Sequence, residues 1–328
     1  MIASRRVLTR RHALAGCLVL VPAGARAADW PERTIRMIVP FGAGAGADTV
    51  GRTFAEELAK ALGQPVVVDN KGGAGGLLGT AEGARALADG YTLLLTSQGA
   101  TVFNMGLYKS PGYDPLKDLA PVVTTGILTN VLVVASANPA TTVTDLVAQM
   151  RAKPGELTYG SSGVGSSLHM SGVILEQRMG VSLQHVPYRA APAAVLAVVN
   201  GEVTMGFFNT STVLGQIRAG KLKALAVTTK VRSVMLPDVP TMIEAGVPDY
   251  EVATWLGFAL PANSPGAIVL RLNAELNRIG QSAQVKEKLL VQGFEILPPN
   301  SPTAARKLIE DDQALWLPII KQAGVKAE

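Results

Sequence analysis

Apolar positions along this chain switch repeatedly between strand-like runs and helical spacing, with glycine or proline at the joints. Ile35-Arg36-Met37-Ile38-Val39 is an apolar run of strand length. Thr49 to Leu62 follows with Val50, Phe54, Leu58 and Leu62 on one helical face. Gly63-Gln64-Pro65 ends that helix, because proline cannot continue one. Val66-Val67-Val68 predicts a second strand, Gly79 to Leu87 a second helix, and Thr92 to Thr96 a third strand ending at Ser97-Gln98-Gly99. This order is that of a doubly wound sheet, which binds ligands outside the carboxyl ends of its strands.

Ala120 to Ala135 is a longer strand-like stretch behind a proline-rich loop (Pro111, Pro115, Pro121), and it predicts a crossing into a second lobe. The pattern then resumes. Helices are expected at 143–151, 166–179, 193–200 and 213–219, and strands at 157–159, 183–186, 203–208 and 224–227. Trp255 to Leu260 predicts the return crossing. Helices at 267–279, 282–290 and 302–321 are expected to pack on the first lobe. The fold expected is α/β, with two doubly wound sheets joined by two hinge crossings. Lobe 1 takes residues 28–127 plus 254–328 and lobe 2 residues 128–253. Two crossings make a hinge that can close around a ligand.

Composition supports buried parallel strands: charged residues are only 17% of the chain. The first 27 residues read as an export signal. Arg5, Arg6, Arg10 and Arg11 are followed by the apolar run Ala13–Val21 and the small-x-small site Ala25-Arg26-Ala27. Thr9-Arg10-Arg11 with Leu14 fits twin-arginine export as well as an ordinary secretory signal. Leu14-Ala15-Gly16-Cys17 matches a lipoprotein box, although most of the apolar run lies after the cysteine. Cleavage after Ala27 removes the single cysteine, and with it disulfide, Cys–metal and Cys-nucleophile chemistry. It also removes five of the 30 basic residues, leaving a chain balanced against its 25 acidic ones. Net charge therefore gives no case for nucleic acid. No later apolar run reaches the ~20 residues of a membrane span.

Two glycine-rich segments carry the candidate chemistry. Phe41, Gly42, Ala43, Gly44, Ala47 and Asp48 belong to the first, and Ser162, Gly163, Val164, Gly165, Ser166 and His169 to the second. Each runs from a strand into a helix, so outward amides and a helix dipole can hold an anion without a charged side chain. Asp48 is placed to cap the helix from Thr49 onward. Ser97 and Gln98 end the third strand on the same side of the sheet. Asn209 follows a strand of the second series, and Tyr188 and Phe41 are candidates to wall an aliphatic ligand, or equally core. Gly42-x-Gly44-x-x-Ala47 with Asp69 also fits a dinucleotide fingerprint, although the acidic residue lies further on than the usual ~20 positions. His169 with a serine and Asp48 would make a hydrolytic triad, but no Gly-x-Ser-x-Gly elbow is present. The two histidines beyond the export signal, His169 and His185, without clustered carboxylates give no metal site.

Taken in order, these motifs resemble a known family. Pro40-Phe41-Gly42-Ala43-Gly44 through Asp48, Val66–Asn70 with Gly73-Ala74-Gly75-Gly76, and Asp89–Leu94 come first. Tyr159-Gly160-Ser161 to His169, His185–Tyr188 and Leu236–Thr241 follow. Together they are similar to the Bug-type periplasmic solute receptors of tripartite tricarboxylate transport systems, over about residues 30–328. The resemblance implies a two-lobed, type II-like periplasmic binding protein, exported and non-enzymatic. It would hold a small carboxylate between the lobes through main-chain amides and bridging waters, and deliver it to membrane permease subunits. No cofactor is implied, and a monomer is expected. Family members often carry Asp-Asn where this chain has Phe208-Asn209. An aromatic ring at that place, with the small apolar first loop, would favour a less polar acid over citrate. Two alternatives remain at this stage: an exported NAD(P)-dependent oxidoreductase using Gly42, Gly44 and Asp69, and a ligand-sensing subunit for a membrane kinase.

Overall fold

The computed structural model describes residues 30–327, so the expected export signal, Cys17 included, lies outside the described residues. The first half is built from β1 (Ile35–Val39), α1 (Gly46–Leu62), β2 (Val66–Asn70), α2 (Leu77–Ala84) and β3 (Thr92–Ser97). A wide helical turn, Gly99–Phe103, runs into α3 (Asn104–Leu107). The long strand β4 (Leu119–Ala135) leads to α4 (Val143–Ala152), β5 (Thr158–Ser161), α5 (Ser167–Met179), β6 (Gln184–Pro187), α6 (Ala191–Val199), β7 (Met205–Asn209), α7 (Thr210–Arg218) and β8 (Leu222–Val227). The return strand β9 (Ala253–Pro261) is followed by α8 (Gly266–Gln281), α9 (Ala283–Leu290), β10 (Phe294–Ile296) and α10 (Pro302–Ala323).

The strands form one path, β2-β1-β3-β9-β4-β7-β5-β6, with β8 and β10 also paired to β4. β1, β2 and β3 are parallel, as are β5, β6 and β7, while β9 and β4 run antiparallel to their neighbours. The two halves therefore meet in β4. From Leu119 to Thr129 it pairs with β9, and from Asn130 onward with β7 and β8. Such a strand can bend where its partners change without losing a hydrogen-bonded edge.

Alternation along the strands sets the layers. Ile35, Met37 and Val39 share a core with Val50, Phe54 and Leu58 of α1, whereas Ile38 and Leu94 pack towards α2 through Ala84. In β4 the same period sends Val131 and Val133 to α6 and α7, and Leu132 and Val134 to α4 and α5. α8 and α9 join the α1 core as expected. α10 does more: Ile309, Trp316 and Ile320 pack in one cluster with Phe103 and Leu107 and with Leu132, Tyr159 and Tyr250. Its polar side chains also reach both halves, Gln313 donating to the Thr101 carbonyl and Gln322 accepting from Gln177 of α5. The last helix thus straps the crossing instead of lying on one lobe, because its apolar stripe meets side chains from both.

The crossing strands approach closely at Gly257, where an added Cβ would stand 2.4 Å from the Val123 carbonyl oxygen. That neighbour is backbone and cannot rotate away. Gly257→Ala is expected to lower stability by about 2 kcal/mol, an overpacking cost; urea unfolding checks this, and an unchanged midpoint would contradict the close approach.

Candidate ligand-binding cleft

The two glycine loops share one local design. Each leaves the carboxyl end of a parallel strand and makes a four-residue turn. In the first, the Ala45 amide donates to the Gly42 carbonyl at 3.2 Å; in the second, the Ser166 amide donates to the Gly163 carbonyl at 3.3 Å. Gly44 (φ 81°) and Gly165 (φ 80°) take the third position of these turns, where the backbone must be left-handed as in a type II turn. The next residue caps the helix with nearly the same dihedrals, Ala45 at φ −69°, ψ 157° and Ser166 at φ −70°, ψ 155°.

Each turn is then held by a side chain from the first turn of its own helix. The Gly44 amide donates to the Asp48 carboxylate at 2.8 Å, and the Gly165 amide donates to His169 Nδ1 at 3.3 Å. Asp48 is further engaged by Asn70 Nδ2 at 2.8 Å and Arg52 Nε at 3.0 Å, and Asn70 also donates to the Phe41 carbonyl. Burial by itself would raise the Asp48 carboxyl, but the Gly44 amide, Asn70 and Arg52 outweigh it and hold it below its ordinary value. Asp48 is therefore not the expected N-cap: α1 begins three residues earlier than the spacing suggested, and the carboxylate reaches back to the turn.

The bracing decides which donors remain. The Gly163 amide is also used, donating to Ser161 Oγ at 3.0 Å. Among the described residues, the amides of Gly42, Ala43, Gly46 and Ala47 in the first loop have no protein acceptor. The same holds for Ser162, Val164, Ser167 and Leu168 in the second. These lie at or just before helix starts, where intrahelical acceptors do not exist. Gly44, Gly163 and Gly165 shape the turns; their neighbours carry the open donors.

Segments beside the first loop approach the second. Gly76 packs against the Phe41 ring, with an added Cβ 3.6 Å from Cζ, and Gly75 would meet the Val164 carbonyl at 3.4 Å. Gly99, just beyond β3, faces the Gly165 carbonyl at 3.4 Å in the same measure. The Gly73–Gly76 segment and residues 97–104 thus lie between the two loops. Ser97 is buried, and its hydroxyl accepts the Ala100 amide. Gln98 Nε2 donates to Asp312 of α10 at 2.9 Å, where Trp255 Nε1 also donates. Burial raises the Asp312 carboxyl, and these two donors pull it back in part.

On the second side, Tyr188 is half-buried beside the second loop, its carbonyl 4.0 Å from where a Gly163 Cβ would be. Asn209 caps no amide of α7; its Nδ2 donates to Asn130 Oδ1 at 2.7 Å. Phe208 does not enter the cleft. Its ring is fully buried among Val131, Leu168 and Val213, so it gives no reason to expect a less polar acid. His169 and His185 stack with centroids 4.0 Å apart, and His185 Nε2 lies 2.6 Å from Ser161 Oγ. Burial, with His185 adding to it, depresses His169 to about 3, and burial depresses His185 to about 4. Both rings are neutral at pH 7, and the Gly165 bond makes His169 Nδ1 an acceptor.

A profile of the family described as tripartite tricarboxylate transporter family receptor matches residues 50–325. The chain is 35% identical over 323 residues to Protein BugT of Bordetella pertussis, covering 97% of this chain and 99% of that one. The chain belongs to the tripartite tricarboxylate transporter receptor family.

Solved structures in the family agree with this receptor's fold. Rpa4515 of R. palustris with adipate is 34% identical, with a TM-score of 0.84 over 91% of this chain and 99% of that one. MatC of Rhodopseudomonas palustris with bound malate is 30% identical, with a TM-score of 0.81 over 89% and 100%. The periplasmic binding protein BugD is 33% identical, with a TM-score of 0.82 over 90% and 99%. The family is one of α/β periplasmic solute-binding receptors and not of enzymes. The dinucleotide alternative loses its acidic residue as well, because Asp69 is bound to Arg36 and lies near Lys71.

The sequence reading missed Asn70, Arg52, Asn104 and Asn130. Asn70 and Arg52 act through Asp48, and no spacing rule links the end of one strand to the helix before it. Asn104 donates to the Gly75 carbonyl at 3.3 Å from the start of α3, directly behind a wide turn that has no periodic signal.

A neutral buried histidine makes stability pH-dependent. The unfolded chain takes up protons below about 6.5, while the folded rings resist until about 3 and 4. Stability is then full above pH 6.5 and is lost as pH falls. Between pH 7.5 and 5 the loss is expected to be about 2 kcal/mol for each ring, about 4 kcal/mol for the pair, in urea unfolding. His169→Asn, which keeps an acceptor for the Gly165 amide, should about halve that slope; an unchanged slope would show that His169 is not one of the titrating groups.

Proposed function

We propose that this receptor captures a small carboxylate between two lobes, residues 28–127 plus 254–328 and residues 128–253, and presents the closed form to membrane permease subunits. The observation that carries this reading is the duplicated loop. Two helix starts on one cleft each offer unpaired amides, with no cationic side chain among the residues of either turn. Amides fixed in direction and backed by a helix dipole suit a carboxylate, and attract it without the cost of burying a fixed charge. That Rpa4515 and MatC hold adipate and malate supports the same chemistry here. The change of partners along β4, with β9 beside it, supports a hinge at this place. Residues 1–27 would act as the export signal that delivers the chain to the periplasm.

Native mass spectrometry of freshly purified protein, followed by calorimetry with the acid released, tests the reading. Retention of no acid, together with no heat from a panel of C4 to C8 mono-, di- and tricarboxylates, would overturn it. The donors are main-chain, so side chains on the turns matter less than backbone shape. Ser162→Ala is expected to change affinity less than threefold. Gly44→Val places a branched side chain at φ 81°, where open space now lies before the loop, and should weaken binding at least tenfold. Equal affinity for Gly44→Val and the wild type would refute this turn geometry.

A further inference from the structure

Several buried polar atoms around the crossing have no hydrogen-bond partner, among them Asn130 Nδ2 and Thr254 Oγ1. An unpaired buried donor is costly, and proteins keep one where something else satisfies it. Asn130 is fully buried. Its Oδ1 accepts from Asn209, and its carbonyl accepts the Thr228 amide at 2.9 Å and the Thr228 hydroxyl at 3.2 Å. Only the amide nitrogen is left open.

The position of Asn130 says what reaches it. It is the first residue of β4 to pair with β7 instead of β9. Leu128, two residues earlier and on the same face of the strand, touches Gly46, with an added Cβ 3.8 Å from its Cδ1. Gly46 carries one of the open amides of the first grip. Asn130 therefore stands about 7 Å further along the same face, towards the second half. Thr254 lies opposite Leu128 in register, so its unpaired hydroxyl shares that face. A buried donor and a buried hydroxyl without partners thus lie on the face that Leu128 turns to Gly46, at the point where the two halves join.

We propose that Asn130 Nδ2, with the Thr254 hydroxyl, binds a hydrogen-bond acceptor at the far end of the ligand. These residues then determine specificity: the receptor prefers acids with a second acceptor, such as another carboxylate, a hydroxyl or a keto oxygen, over plain aliphatic monoacids. This rests on the carboxylate reading above and adds the residues that read the other end. It also reverses the less polar acid that Phe208 suggested. Asn209 acts as a positioning residue, because its bond to Asn130 Oδ1 fixes which end of that amide is left open.

Calorimetry on the full receptor with matched pairs, butanedioate against butanoate and hexanedioate against hexanoate, tests the proposal. The wild type should favour the diacid of at least one pair by about tenfold or more, the worth of one hydrogen bond to a charged group. Asn130→Ala should remove most of that preference, weakening diacid binding about tenfold more than monoacid binding. Thr254→Val, which keeps the shape of the side chain, should reduce it about threefold, and decides the question if Asn130→Ala does not fold. Equal affinity within both pairs for the wild type, or variants that weaken diacid and monoacid alike, would overturn the proposal and assign these atoms to trapped water. Binding of no acid at all would instead overturn the carboxylate reading on which it rests.

Discussion

A helix that starts directly after a parallel strand leaves its first amides without acceptors, and the organisation of the cleft follows from that deficit. Two helices, α1 and α5, begin in this way behind turns of the same geometry. In each, one amide of the turn is taken by a side chain from the helix it precedes, which fixes the direction of the rest. The bracing groups differ: a carboxylate tied to arginine and asparagine in one half, a neutral imidazole stacked on another in the other. Neither brings a net positive charge to the turn, so in the proposed binding the attraction for an anion would come from oriented dipoles.

The second constraint is mechanical. One strand, β4, serves both halves of the sheet, and its partners change between Thr129 and Asn130. Core packing does not stop at this boundary. Trp316 and Ile320 of α10 reach across it, as does the bond from Gln177 of α5 to Gln322 of α10. Movement of one half against the other must therefore bend β4 while sliding along α10, which favours a small set of arrangements over free swinging. Asn130 sits where the partners change, so a ligand at the proposed site would sense both halves at once.

Most of the fold was legible from periodicity. The strands from Ile35, Val66 and Thr92, the helix ending at Gly63, and both crossings have the spacing their positions require, because burial on one or both faces imposes it. What was not legible had no period to reveal it: the wide turn at 99–103, the short β10, and the role of α10 as a strap. The candidate site was legible in part. The glycines identified both loops, but one sequence-adjacent inference failed, since Phe208 turned into the core while its neighbour Asn209 turned to Asn130.

The sequence by itself determined where turns must be left-handed, where helices start and which faces are apolar, because these depend on residues near one another in the chain. It also determined the family, through motifs in a fixed order. Only the tertiary structure decided which amides stay free, which polar atoms lack partners, and that Asn130 lies beyond Leu128 on the face below Gly46. Those outcomes depend on contacts between segments far apart in sequence, and strand register and core packing, not local spacing, set them.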